Sequence, residues 1–422
     1  MQVVYVAMGA EDRIAVYASD PHHGLAHMLD VPCSGSPLAL CTDPDARLLF
    51  VATQESLEIV SFAIHPRTGT LSDLDRIPSA ASSSGDADFA CFLSTDRTGR
   101  WLFSAYHSSG AAAVHEILPD GKISPQPHQY TTTTPGCHCI QSTNDNGFVF
   151  VTCAGGPIAE LSEQRTGQPA GNRIFMYHFD ARTGCLIPNG EVRPPTPDSL
   201  RLLKRPGAGG TMSIGESSTG TIRALESIQP PERNRFNNRN ERGPRQFCLH
   251  PTLKMLYTTD EQSNTVTAYA IGRDGRLTAV QSEDMLPLSF QHPASAGDIA
   301  IDPDGRFLLA GNRVVGPERT RQTVACFSIE RSSGRLSTRR ACAIQHMAQG
   351  LRLSNDGTRL FVVGTDGNVG MLSICGVVHT EGVDVKSQRF KRLEVLHALE
   401  VGSDGANPVA VLPVDFGRTS RL

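Results

Sequence analysis

Hydrophobic and polar positions along this chain repeat in one fixed order. A hydrophobic run leads into a turn such as Asp302-Pro303-Asp304-Gly305, then Arg306, and a second hydrophobic run carries an aliphatic or aromatic anchor. The anchors are Tyr5, Phe50, Phe103, Phe150, Tyr257, Leu309 and Phe361, separated by 45, 53, 47, 107, 52 and 52 residues. A third run such as "TVTAYAI" or "TVACFSI" follows each anchor, and then a hairpin such as "GRDGRLTAV" or "ERSSGRLST". Short apolar runs bounded by Gly, Asp and Pro turns read as strands. Each unit therefore predicts one four-stranded blade in a period of roughly 50 residues. Seven units predict an all-β chain, a seven-bladed β-propeller whose loops converge on a central mouth.

The first unit begins directly at "VVYVAMG" and lacks the inner strand that precedes the turn in every other copy. "NPVAVLPVD" (Asn407 to Asp415) near the other end reads like "SPLALCTDP" of the second copy. A C-terminal strand completing the N-terminal blade closes the ring and removes the exposed edges of an open array. Residues 1–422 are thus read as a single propeller domain, with loop insertions at 155–171 and 188–242. The second insertion accounts for the 107-residue step and has no alternating apolar run that would make an eighth blade.

Composition narrows the class of partner. A net charge of −4 lacks the basic stripe of a nucleic-acid binder. No apolar run approaches the ~18 residues of a membrane helix, and no secretory signal is visible at the start. The 11 cysteines have no C-x-x-C pairing, and most sit in strand patterns as small apolar residues. Reduced thiols and a cytoplasmic location are the expectation. Cys137-His138-Cys139 could suggest a metal, but alternation in a strand turns both cysteines away from the histidine. No metal and no cofactor are expected.

Aligning the units on their anchors maps the mouth. Twelve residues before the anchor stand Leu38, Cys91, His138, Arg245, Gly297 and Gln349 in blades two to seven. Four residues after it stand Gly9, Gln54, His107, Ala154, Glu261, Arg313 and Thr365 in blades one to seven. In an antiparallel hairpin the start of one strand and the end of the next share an edge, so both sets occupy one rim. His138, Arg245, Glu261 and Arg313 are the chemically active members, with Asp298 one residue beyond its set. They could simply salt-bridge one another inside a wet channel. As a cluster on adjacent blades they offer an acid–base pair with anion clamps.

Three segments carry a family resemblance: "GPRQFCLHPTLKMLYTTDEQSNTVTAY", "GDIAIDPDGRFLLAGNR" and "STDRTGRWLFSAYHSSGAAAVHEI". Over nearly its whole length the chain resembles the seven-bladed lactonase family, which includes propeller-type 6-phosphogluconolactonase and 3-carboxy-cis,cis-muconate lactonizing enzyme. The resemblance implies catalytic roles for His138, Glu261, Arg245 and Arg313, with Asn312 beside the last. Asp298, His107 and Tyr106 complete the expected substrate-binding set. Family members commonly place an aspartate-leucine-glycine segment after the histidine blade's second strand. This chain has Cys153-Ala154-Gly155-Gly156 there.

By the strand count, both insertions emerge on the face that carries His138 and Arg245. They are expected to cover the mouth, with a short helix in "TGTIRALESIQ" and with Arg233, Arg235 or Arg239 reaching an anionic ligand. The composition of "PPERNRFNNRNERGPR" also fits a solvated loop. The expected chemistry is hydrolysis of a sugar-derived or related anionic lactone, in carbohydrate metabolism. A histidine with an ordinary pKa near ~6.5 can activate water at neutral pH, and arginines can neutralise the anion. The alternatives are cycloisomerisation of a carboxymuconate, a polycarboxylate gripped by the same arginines, and a non-catalytic metabolite- or protein-binding propeller.

Overall fold

The computed structural model describes residues 2–20, 24–79, 88–154, 171–195, 242–286, 290, 292–314, 322–379, 390–404 and 408–416. They form seven antiparallel four-stranded sheets. Blade one contains β1 (Gln2–Met8), β2 (Arg13–Asp20) and β3 (Gly24–Pro32), and its inner strand is β28 (Pro408–Asp415). The register runs from Gln2↔Asp415 to Met8↔Pro408, so the ring closes as the repeat pattern predicts.

The other inner strands are β4 (Pro37–Thr42), β8 (Ala90–Thr95), β12 (Cys137–Ser142), β16 (Pro244–Leu249), β20 (Ala294–Ile301) and β24 (Gly350–Leu353). Each touches the next around the axis, and β28 touches β4. All seven anchors are fully buried, because each projects from the second strand of its blade into the packing between neighbouring sheets. Among the described residues no helix is long and apolar enough to cross a membrane.

The turns explain the repeating polar positions. Seven residues before the anchor stands a side chain that accepts from the turn's own amides. Asp43 takes Arg47 N and Leu48 N at 2.7 Å each, Asp96 takes Arg100 N and Trp101 N at 2.9 Å each, and Ser354 takes Arg359 N at 3.0 Å. Where the unit has His250, Nδ1 accepts from Leu253 N at 2.9 Å. Such local bonds satisfy backbone donors that the strands cannot reach. Gly305 has φ +68°, and a Cβ there would lie 2.3 Å from the His250 ring of the preceding blade. Only glycine meets both demands.

Five of these inner strands have a further irregularity at the mouth. The register shifts between Pro37 and Ala39, Ala90 and Phe92, Cys137 and Cys139, Pro244 and Phe247, and Ala296 and Ile299. Each shift adds one residue to the inner strand, a bulge that re-aims a side chain. His138 and Arg245 sit in two of these bulges.

Two expectations need adjustment. Pro188 to Val192 do not belong to an insertion: they pair with the third strand of blade four inside β15 (Cys185–Val192), the blade's outer edge. Residues 196–241 of the expected cover, including the helix in "TGTIRALESIQ" and Arg233, Arg235 and Arg239, lie outside the described residues, as do residues 155–170.

Candidate functional site

His138, Arg245, Glu261 and Arg313 come together at the mouth, from three consecutive blades. His138 arises from the bulge of β12 and Arg245 from that of β16. Glu261 follows β17 (Met255–Asp260), and Arg313 is the penultimate residue of β21 (Phe307–Val314). Glu261 is the hub. Its Oε1 accepts a short hydrogen bond from Arg313 Nη2 and lies 3.7 Å from Arg245 Nε, while Oε2 lies 3.9 Å from His138 Nε2. Arg313 Nη2 also donates to the Ala296 carbonyl at 3.3 Å.

Side chains on the strand seams hold this arrangement. Gln246 Nε2 donates to the His138 carbonyl at 3.1 Å, Thr152 Oγ1 to the Arg245 carbonyl at 2.7 Å, and Thr259 Oγ1 to the Gly297 carbonyl at 2.8 Å. Thr152 and Thr259 stand two residues after their anchors, so the repeat contained the signal that would have found them.

Burial dominates the electrostatics. It pushes the His138 pKa well below the ordinary value, and the charges of Arg245, His107 and Arg313 push the same way. Glu261 Oε2, 3.9 Å from Nε2, does not outweigh burial and these charges. The imidazole therefore rests neutral. Burial lowers Arg313 to about 10, with Arg245 adding to the effect and Glu261 opposing it, so the guanidinium stays charged at neutral pH. Among the described residues Arg245 Nε, Arg313 Nε and Gln349 Oε1 are buried without a hydrogen-bond partner. Gln349 occupies the same repeat position as His138 and Arg245.

Of the four expected substrate contacts, only His107 joins the cluster, its ring centroid 4.5 Å from that of His138. Tyr106 is fully buried in the core shared by blades two and three, where its hydroxyl accepts from Ser104 Oγ at 3.1 Å. Asn312 is fully buried and donates to Thr323 Oγ1 at 3.0 Å. Both stand three residues after an anchor, where Met8, Thr53, Cys153 and Asp260 are also fully buried. Asp298 accepts from Arg352 at 2.6 Å and from Leu351 N at 3.0 Å. It lines an axial cavity of about 430 Å³ to which all seven inner strands contribute, and none of the four converging residues does so. Tyr106 and Asn312 are structural residues buried within the blades, whereas Asp298 lines the axial cavity instead of joining the four.

Cys137 and Cys153, paired across β12 and β13 (Phe148–Cys153), bring their Sγ atoms together directly before His138. The other nine cysteines are free.

The family profile described as "Lactonase, 7-bladed beta-propeller" matches residues 1–85, 79–156 and 222–377. The chain belongs to the seven-bladed β-propeller lactonase family. The 6-phosphogluconolactonase of Cronobacter sakazakii is 23% identical over 393 residues, covering 92% of this chain and 95% of that protein. The enzyme of the same name from Serratia proteamaculans is 25% identical over 375 residues, covering 88% and 91%. Among solved structures, the periplasmic gluconolactonase of Pseudomonas aeruginosa shares the fold with a TM-score of 0.70, 21% identity and 99% coverage of both chains.

Proposed function

We propose that the chain is a lactone hydrolase acting on a small, anionic, sugar-derived lactone by direct attack of water. The observation that carries this reading is the convergence of His138, Arg245 and Arg313 on the single carboxylate of Glu261, from three consecutive blades. A lactonase needs a base for water, positive charge for the oxyanion and a proton for the departing alkoxide. His138, resting neutral, takes the proton of the attacking water. Its imidazolium then gains what the neutral ring lacks, an attractive partner in Glu261 Oε2. Arg245 and Arg313 carry unpartnered Nε–H donors beside that carboxylate, suited to an oxyanion or to the substrate's own anionic group. The names of the curated relatives support the substrate class.

The test is hydrolysis of 6-phospho-glucono-δ-lactone and of glucono-δ-lactone, followed by acid release against the spontaneous rate. Hydrolysis of the phosphorylated lactone, lost in His138→Gln, is the expected result. Turnover of neither lactone, or full activity in His138→Gln, overturns the reading.

A further inference from the structure

The arrangement leaves the departing alkoxide without an assigned proton donor, and a second histidine stands beside the first. We propose that His107 and His138 form a one-proton relay in which His138 takes the proton from attacking water and His107 delivers it to the ring oxygen of the lactone. This inference rests on the hydrolase reading and assigns the half of the reaction that reading leaves open.

Geometry carries it. The two rings touch, with centroids 4.5 Å apart and planes inclined at 57°. Backbone bonds fix that contact: Gly136 N donates to the His107 carbonyl at 2.8 Å, one step before the β12 bulge that aims His138, and Ala154 N donates to Gly136 O at 2.7 Å. The loop after β9 (Trp101–Tyr106) and the head of β12 are thus tied so that the rings face each other across the seam between blades three and four.

The charges around the two rings differ. His138 faces Arg245, Arg313 and His107, which oppose a positive charge on it, and Glu261 Oε2 at 3.9 Å, which favours one but does not outweigh them. His107 faces Glu261 and Asp88, which favour a positive charge, as well as Arg245, which opposes it. Burial is the largest influence on both and keeps both neutral at rest. Of the two, His138 is the more strongly disfavoured as an imidazolium, so a proton arriving there has a downhill path to His107. Asp88 is itself fixed, accepting from Ser109 N at 2.7 Å, so its charge is held beside His107.

The step balances with one proton. Water attacks the acyl carbon as its O–H bond breaks and the proton passes to His138. The proton then crosses to His107. The tetrahedral intermediate collapses, the acyl C–O bond to the ring oxygen breaks, and that alkoxide takes the proton from His107. Both rings return to neutral, and the new carboxylic acid ionises into solvent. No further reactant is needed.

Leaving-group dependence tests the relay. 6-Phospho-glucono-δ-lactone expels a poorly stabilised alkoxide that needs a proton, whereas dihydrocoumarin expels a phenoxide that needs little help. The variants His107→Gln and His107→Asn are compared with the wild type, with thermal melting to establish folding. The expected result is a loss of at least ~100-fold on the aliphatic lactone and a loss at least ~10-fold smaller on dihydrocoumarin, while His138→Gln damages both. Equal losses on the two substrates in a folded His107 variant, or no loss on either, overturn the relay while leaving the hydrolase reading standing. Absence of wild-type turnover on both substrates overturns both.

Discussion

Arg313 and Glu261 are 52 residues apart, stand at the same position of consecutive blades, and are joined by a short hydrogen bond. Arg245 approaches the same Oε1 from the side, so one carboxylate holds two guanidinium groups in place. Replacing Glu261 by Gln removes the countercharge of both and sets them against each other. The variant should melt lower, by about 1–3 kcal/mol for charge left poorly paired, and should lose most of its turnover. Differential scanning fluorimetry with the lactone assay reads both effects. Unchanged melting and activity would mean that the carboxylate neither organises the arginines nor assists His138.

Lysine should be a poor substitute for either arginine. Arg313→Lys can keep a charge near Glu261 but cannot present an Nε–H to a ligand at the same time as its terminal nitrogen bonds Glu261 and Ala296. Its KM for the phosphorylated lactone should rise by ~10-fold or more, with a smaller effect on the neutral lactone. Steady-state kinetics on the two substrates decide it: equal effects would place Arg313 at the reacting carbonyl and not at the anion.

Acid should weaken the fold before it protonates most carboxylates. His107, His115, His138, His250 and His346 all have pKa values lowered first by burial. Their unfolded values lie near ~6.5, so between that pH and the lower folded values the unfolded chain binds more protons. Stability is then fully present above about pH 6.5 and falls as the pH drops through that window. Melting temperatures measured from pH 7.5 down to 5.5 should decline, and a flat profile would contradict neutral buried rings. The same depression predicts that the acid limb of kcat/KM for wild-type hydrolysis lies below pH ~6.5.

Removing residues 405–422 deletes β28 and strips blade one of its inner strand. The loss uncovers one edge of β1 and the apolar contacts that Val411 and Val414 make in the packing of blade one with its neighbours. The truncated chain should lose cooperative melting. A melting curve matching the full chain would argue against closure by this strand.

The fold was legible because the repeat is exact in kind even where its spacing varies: every anchor predicted from the pattern is buried and every turn acceptor falls seven residues before it. The same alignment found His138, Arg245, Glu261 and Arg313, since residues at equivalent positions of a closed ring must share a rim. It misplaced Tyr106 and Asn312 because the strand period is two. Each is the immediate neighbour of a rim residue, His107 or Arg313, and therefore faces the blade seam. Asp298 was misplaced for a different reason. An added residue in β20 breaks strict alternation at that point, and no pattern of apolar positions marks a bulge in advance.

Gln2 Nε2 donates to Asp415 Oδ1 across a sequence separation of 413, within the sheet whose inner strand comes last. On the ribosome, blades two to seven can each assemble as their own four strands emerge. Blade one cannot: β1 is synthesised before all the other blades and must wait for β28, with one edge of its backbone unpaired throughout. That interval exposes a three-stranded sheet of buried-type residues to other chains, and its length is set by the rate of translation. Slower synthesis of the C-terminal half should therefore lower the yield of soluble protein more than slower synthesis of the N-terminal half.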